Sequence, residues 1–306
     1  MEAVAQVSFG NAEKFNADWR FVLADDSTAL KPDYDDSRWR PLVLPHDWSV
    51  EGAPSQALAS CTGYLPGGIG WYRKHFTVSD DAARHYIYFE GVYNRSDVYI
   101  NGHHLGHRPN GYVSFMYDLT PYLNGGDNVI AVRVDHSRYA DSRWYTGSGI
   151  YRDVYLVSAP EVHLSQWGVA YRATKLTDRS ATIEVDVAVD NHTAEAQKVQ
   201  ARISMLDAEG KQVASAMKGA VVSASVNDNK LAVVSCQLKN PRLGILGLIA
   251  HHHTCQGARH GTRSIYGAYA CSQALGNLTY ALSIGALGII AAKHGLTDTT
   301  TIKHRV

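Results

Sequence analysis

The stretch Tyr86-Ile-Tyr-Phe-Glu-Gly-Val-Tyr-Asn-Arg-Ser-Asp-Val-Tyr-Ile-Asn-Gly102 decides the fold class. It holds two short runs of aromatic and β-branched residues, Tyr86–Glu90 and Asp97–Ile100, the first closed by Gly91 and the second by Asn101-Gly102. Asn-Gly is the strongest two-residue hairpin signal, because both positions tolerate the positive φ that a type I′ turn requires. Outward from this stretch the same grammar continues. Asn128-Val-Ile-Ala-Val-Arg-Val134 is a near-continuous apolar run entered through Asn124-Gly125-Gly126, and Tyr151–Val157 reads as a further strand. No segment between Phe15 and Leu238 keeps a 3.6-residue apolar period for three turns, so helices are not expected. Many short, aromatic-rich strands punctuated by turns predict a β-sandwich of the jelly-roll kind.

Beyond Pro160 the pattern becomes strictly alternating. Ile183, Val185, Val187 and Val189 interleave with Glu184, Asp186, Ala188 and Asp190, and Val199, Ala201, Ile203 and Met205 repeat the pattern up to a turn at Asp207-Ala-Glu-Gly210. A period of two with one apolar face is the signature of an antiparallel sheet with one side wet. It predicts an immunoglobulin-like sandwich, which needs about seven strands and about 100 residues. The expected organisation is all-β: a jelly-roll β-sandwich over 1–159, an immunoglobulin-like β-sandwich over 160–243 with room for only part of its strands, and an atypical, irregular tail over 244–306.

Composition limits the function classes. Of 306 residues 45% are hydrophobic and 19% charged, which suits a packed core and excludes global disorder. Acids and bases balance at 29 each, arguing against nucleic acid or an anionic membrane as the main partner. Cys61, Cys236, Cys255 and Cys271 lie too far apart for metal-type spacing or a disulfide framework. The opening MEAVAQVSFGNAEKF shows no basic and then apolar leader pattern, so the compartment is cytoplasmic by default and periplasmic if a leader has been removed. The balance of charge conceals a break: from Gln237 onward one acid, Asp298, stands against seven Lys/Arg, and all six tryptophans lie at or before Trp167.

A series of motifs resembles the N-terminal sugar-binding domain of glycoside hydrolase family 2, in its β-galactosidase branch. They are Phe15-Asn-Ala-Asp-Trp-Arg-Phe21, Asp36-Ser-Arg-Trp-Arg-Pro41, Leu44-Pro-His-Asp-Trp48, Gly67-Gly-Ile-Gly-Trp-Tyr-Arg-Lys74, Phe89-Glu-Gly-Val92, Val98-Tyr-Ile-Asn-Gly102, Tyr117-Asp-Leu-Thr-Pro-Tyr-Leu123 and Ser142-Arg-Trp-Tyr-Thr-Gly-Ser-Gly-Ile-Tyr-Arg152. Each is weak alone; their order and spacing carry the match. Pro160 to Leu243 resembles the family's immunoglobulin-like second domain. The resemblance implies a retaining glycosidase whose two catalytic glutamates sit on a third part, a (β/α)8 barrel. That chemistry needs two carboxylates about 5–5.5 Å apart, on a barrel of about 250 residues. Only 63 residues follow Leu243, none of them glutamate. The expectation is a non-catalytic N-terminal part with no catalytic residue and no cofactor of its own. Its partner in the intact relative would be a β-galactoside or related glycoside. The alternative is a stand-alone carbohydrate-binding module.

By the same resemblance Asp141 is the expected sugar contact, since a carboxylate accepts two charge-assisted hydrogen bonds from a diol. Arg143, Trp144 and Tyr145 would add a polar contact and an aromatic platform, with Trp144 alternatively a packing residue at the domain junction. The Gly63–Gly70 loop reads Leu65-Pro-Gly-Gly68 where some relatives carry an asparagine contact, which argues against a sugar contact from that loop. His46-Asp47-Trp48 is read as structural, because neighbours on a strand point to opposite faces. His103, His104 and His107 are read as surface residues of a hairpin with no matching carboxylate nearby, and His251-His252-His253 as a tract unable to close a tetrahedral site; no metal ligand is expected. Leu275–Ala292, the most apolar stretch, is read as an aggregating segment rather than a membrane span.

In the family a Trp and then a Ser-Pro-x-Leu-Tyr-like segment follow the Asn-Pro-Arg-Leu stretch. Here Leu243-Gly-Ile-Leu-Gly-Leu-Ile-Ala-His-His-His-Thr-Cys255 takes their place. Back-translated one base out of register, Leu-Gly can give Trp, Gly-Ile can give Asp, and Ile249 to Cys255 can give Ser-Pro-x-x-Tyr-Leu. Two readings of the tail stand: an out-of-frame extension beginning near Leu243, or a genuine lineage-specific tail. Sequencing the DNA past codon 243 separates them. Slippage expects a shifted frame that stays open into family-like sequence, and stop codons in that frame would leave the native tail.

Overall fold

The structure is a computed structural model and describes residues 7, 9–78, 84–138, 140–177, 179–206 and 212–239, with the strand segments 243–245, 280–282 and 286–293. The chain forms two compact units, one over Asn11–Pro160 and one from Glu161 onward that includes Gln6–Gly10.

The first unit contains the strands β1 (Asn11–Lys14), β2 (Trp19–Leu23), β3 (Arg40–Leu42), β4 (Gly68–Phe76), β5 (Arg84–Phe89), β6 (Ser96–Ile100), β7 (His103–Arg108), β8 (Phe115–Asp118), β9 (Asn128–His136) and β10 (Val154–Ala159). One sheet runs β3-β2-β4-β9-β6-β7 and the other β1-β10-β5-β8. Trp19, Phe21, Tyr72, Val98, Ile100, Ile130, Val132 and Val134 from the first sheet meet Ile87, Phe89, Phe115 and Val154 from the second in one buried cluster. Fully burying each such side chain contributes about 1.5–3 kcal/mol, so this layer is the main source of cohesion. The expected hairpin is present: Asn101 and Gly102 both have positive φ (49° and 83°), and β6 pairs antiparallel with β7. The Asn101 side chain then accepts from the Val129 N–H at 2.8 Å, tying the turn to β9. The strand expected over Tyr151–Val157 is observed over Val154–Ala159, and the Tyr151 hydroxyl before it donates to the Gly111 carbonyl at 2.7 Å.

On the outer face of β4 stands a fully buried arginine. Arg73 donates from Nε to Asp36 Oδ2 at 2.8 Å, and from Nη1 to the carbonyls of Ala29 (2.5 Å) and Lys31 (3.0 Å). Its guanidinium also lies 5.5 Å from the Tyr34 ring centroid. Trp39 and Ala29 pack on Trp71 and Ala131 beside it, so the connection from β2 to β3 is wrapped around one cation. This explains why Asp36 and Trp39 share a motif.

In the second unit, β11 (Val162–Leu176), β12 (Ser180–Asn191) and β15 (Val226–Lys239) form one sheet. In the other, β13 (Gln197–Leu206) lies between β14 (Gln212–Val222) and β18 (Ala286–Lys293). Two short strands, β16 (Leu243–Ile245) and β17 (Tyr280–Leu282), pair with each other. The alternation read from sequence is realised: Ile183, Val185, Val187, Val189, Val199, Ala201, Ile203 and Met205 are buried. Ala188, on the polar face of that pattern, is buried as well. Asn191 ends β12 as a fully buried clamp, its Nδ2 donating to the carbonyls of Glu195 and Ser223, both at 2.9 Å. The Asp207–Gly210 turn, the His251–His253 tract and the tail other than β16, β17 and β18 lie outside the described residues. Among the described residues no helix is long and apolar enough to cross a membrane.

Replacing Arg73 by Ala strands Asp36 and the loop carbonyls in a buried place, and the first unit is expected to lose about 3–5 kcal/mol. Urea unfolding checks this; a loss below about 1 kcal/mol would show that Trp39 packing alone holds the loop.

Candidate functional site

The candidate site lies on the loop from β9 to β10, which returns to the sandwich through Gly147-Ser148-Gly149. Tyr93 and Gly149 exchange both backbone hydrogen bonds, each 2.9 Å, as an isolated antiparallel bridge. Gly149 sits at φ 118°, and a Cβ there would lie 2.2 Å from Tyr72 Oη, so only glycine lets the loop come this close. Gly67 is constrained in the same way: its Cβ would lie 2.2 Å from the His136 carbonyl oxygen.

A chain of polar groups then fixes the loop. Asp47 Oδ1 accepts from the N–H groups of Ser49 (3.0 Å) and Ser148 (2.8 Å), while its Oδ2 accepts a short hydrogen bond from the Tyr145 hydroxyl. Ser49 Oγ is 2.5 Å from Ser148 Oγ and donates to the Pro66 carbonyl at 2.7 Å. With its proton committed to Pro66, the Ser49 hydroxyl accepts from Ser148. Ser148 Oγ in turn lies 2.6 Å from His136 Nδ1, which must then be the donor. His136 Nε2 is 3.4 Å from Asp141 Oδ1, and Asp141 Oδ2 accepts from Asn94 Nδ2 at 2.8 Å. Asp141 Oδ1 and Asn94 Oδ1 are both buried without a well-aligned donor among the described residues. Burial lowers the His136 imidazole below its ordinary value, the Asp141 carboxylate partly opposing it. Burial, followed by Asp141, raises the Tyr93 phenol.

Above this buried layer the loop is open. Trp144 is 60% exposed and Tyr145 41%, and Trp144 Nε1 donates to the hydroxyl of exposed Tyr112 at 2.9 Å. Tyr112 in turn stands edge-on to Tyr93, with ring centroids 5.4 Å apart. Arg143 is exposed and makes no hydrogen bond or ion pair among the described residues. Of the four residues singled out by sequence, Asp141 is therefore turned inward, its side chain 8% exposed, while Arg143, Trp144 and Tyr145 form the surface.

Sequence reading missed Asn94, Tyr93, Tyr112 and His136, which come from other loops and strands and carry no local signature. It also undervalued Asp47. Residues 43–48 are irregular rather than strand, so the opposite-faces argument does not apply there. The two side chains separate for another reason. His46 is buried, Nδ1 2.7 Å from Tyr72 Oη and Nε2 2.8 Å from Arg40 Nη2, whereas Asp47 serves the loop. A second correction concerns the hairpin histidines. Asp97 Oδ1 on β6 lies 3.0 Å from His104 Nε2 and 3.1 Å from His107 Nδ1, so a carboxylate is present, supplied by strand pairing rather than sequence proximity. Although no metal ligand was expected, the second unit brings one ligand atom each of His163, Asp190 and His192 within 4.8 Å of one another.

Comparison with known proteins gives a consistent picture. The family model described as "Glycosyl hydrolases family 2, sugar binding domain" matches residues 12–160. The chain is 47% identical over 205 residues to the β-galactosidase BoGH2A of Bacteroides ovatus, covering 65% of this chain and 24% of that protein. A protein of Formosa agariphila named as a putative β-glucuronidase is 38% identical over 204 residues, 65% of this chain and 19% of that one. Among solved structures, a β-glycosidase from Bacteroides vulgatus superposes with a TM-score of 0.70 at 38% identity, covering 77% of this chain and 30% of that one. The chain thus spans about a quarter or less of the curated relatives it matches here.

The two buried imidazoles set a pH dependence. Burial depresses both His46 and His136 below 6.5. As pH falls through about 6.5 the unfolded chain takes up protons that the folded one refuses, so stability falls on acidification. Urea midpoints measured from pH 7.5 to 6 are expected to decline, and less steeply in His136→Gln; equal slopes would show that His136 is not held neutral.

Proposed function

Residues 12–160 belong to glycosyl hydrolases family 2 as its sugar-binding domain, and from that we propose that the chain forms the sugar-pocket rim of a retaining, β-galactosidase-type glycoside hydrolase without performing the bond cleavage. The observation that carries this reading is the 47% identity to a β-galactosidase confined to about a quarter of that protein's length. Double displacement needs one carboxylic acid to protonate the leaving oxygen and a second carboxylate, about 5–5.5 Å away, to attack the anomeric carbon. No glutamate follows Glu209 within these 306 residues.

The rim residues take distinct roles in this proposal. Trp144 and Tyr145, exposed and tethered through Tyr112 and Asp47, offer flat apolar faces to a sugar ring, and Arg143 offers an exposed donor. Asp141 and Asn94 lie in the buried layer beneath, where each keeps one oxygen without an aligned donor at a cost of about 1–3 kcal/mol; a sugar hydroxyl would recover that cost once the covering side chains part. Rigid tethering suits the task, because groups held in place lose little further freedom on binding.

The purified chain is expected to show no hydrolysis of a chromogenic β-galactoside above a matched blank. Turnover that survives repurification would overturn the non-catalytic reading. Titration with galactose is expected to give only weak binding, with a Kd above about 1 mM. Saturable binding far below that would favour a self-sufficient carbohydrate-binding module, whose ligand platform would be the exposed aromatic group.

A further inference from the structure

The second unit carries a cluster with no part in the sugar rim. Strands β11 and β12 pair antiparallel with His163 directly opposite Asp190. Residues so placed project from the same face with Cβ atoms about 4.5–5.5 Å apart. His192 lies two residues past Asp190, just beyond the end of β12, where its N–H donates to the Glu161 carbonyl at 2.9 Å. One ligand atom from each of His163, Asp190 and His192 falls within 4.8 Å of the other two. His163 Nδ1 is 3.9 Å from Asp190 Oδ2, and the two imidazole centroids are 5.5 Å apart.

The surroundings hold these groups in place. His163 is 5% exposed, and Phe9 stacks on it at 4.3 Å with the planes 8° apart. Its Nδ1 lies 2.9 Å from the Leu164 carbonyl oxygen, which can only accept, so the ring proton sits on Nδ1 and the lone pair on Nε2. Ser165 Oγ donates to Asp190 Oδ1 at 2.5 Å, leaving Oδ2 as the oxygen nearer the imidazole. Backbone carbonyls behind a histidine and hydroxyls behind a carboxylate are the outer contacts that orient metal ligands.

We propose that His163, Asp190 and His192 bind a divalent transition-metal cation of the zinc class, in a site that ties the start of β11 to the end of β12. Two imidazole nitrogens and one carboxylate oxygen match Zn2+, which accepts four such donors and leaves one position for water. They do not match Ca2+ or Mg2+, which require a shell of oxygens. With Zn–ligand bonds of 2.0–2.2 Å, tetrahedral ligands stand about 3.4 Å apart; because Asp190 Oδ2 lies 3.9 Å from the protonated Nδ1 edge, closing the site on Nε2 requires the Asp190 carboxylate or the His163 ring to turn. The cation acts as a staple: it binds the folded unit and stabilises it by mass action. This inference is independent of the sugar-rim reading, since none of its residues lies in the first unit.

The test uses the full chain with His251, His252 and His253 changed to Ser, which removes a competing chelating tract. After chelator stripping, ZnCl2 is titrated by calorimetry, Co2+ by visible absorption, and thermal unfolding is followed with and without Zn2+. The expected result is one binding event lost in the His163→Gln/His192→Gln double variant and weakened at least about 10-fold in Asp190→Asn. Asp190→Asn keeps the shape of the side chain and an oxygen for Ser165, so it tests the ligand set even where the double variant fails to fold. Zn2+ at 100 times Kd is expected to lower the unfolding equilibrium about 100-fold in the parent chain and to raise its unfolding temperature, with a much smaller rise in Asp190→Asn at the same Zn2+. Equal Zn2+ uptake and equal thermal shifts in parent and Asp190→Asn, or no uptake at micromolar Zn2+, would overturn the proposal.

Discussion

The arrangement of the candidate site depends on one carboxylate. Asp47 takes two backbone N–H groups, from Ser49 and Ser148, and one phenol, from Tyr145, and so joins two stretches of chain about 100 residues apart. Hydrogen bonds to a charged acceptor are roughly twice as strong as neutral ones, and here they are cooperative with the Ser49–Ser148–His136 series behind them. Without that anchor, the loop bearing Trp144 and Tyr145 would lose its Tyr145 tether and rest on the Tyr93–Gly149 bridge with the Asn94–Asp141, His136–Ser148 and Trp144–Tyr112 contacts. In the proposed reading these aromatics form a binding rim, and the network holds them in place.

The sandwich supplies the rigid support. Its inner layer is nearly all apolar, and its polar interactions are placed where loops must be secured: Arg73 under the β2–β3 connection, Asn101 at the β6–β7 turn, Ser148 and His136 under the β9–β10 loop. In each case a buried donor or acceptor is matched by loop backbone or by another loop's side chain. Buried polar groups of this kind add less net stability than apolar packing, but they penalise every alternative loop path by leaving partners unsatisfied. Among the described buried side-chain atoms that lack an aligned partner, Asp141 Oδ1 and Asn94 Oδ1 belong to two residues that hydrogen-bond each other at the loop.

The second unit shows the same logic with different consequences. Strand pairing places His163 against Asp190, and the chain leaving β12 adds His192. Sequence separation hides such a cluster: Asp190 lies 27 positions after His163, and no spacing rule connects them. The hairpin carboxylate Asp97, which faces His104 and His107 across two strands, escaped notice for the same reason.

Some of this protein was determined by sequence alone. The period-2 alternation of residues 183–189 and 199–205, the Asn101-Gly102 turn and the apolar run 128–134 state which face of each strand is buried, because strand geometry sends successive side chains to opposite sides. The ordered motifs from Phe15 to Arg152 identify the family, and the exposed aromatics Trp144 and Tyr145 were legible within one of them. What only the tertiary structure decided is which distant residues meet: Asp47 with Ser148, Asn94 with Asp141, His163 with Asp190. Periodicity fixes the direction of a side chain relative to its own strand, but the partner it reaches depends on register and on loop closure, and those are set by the packing of the whole sandwich.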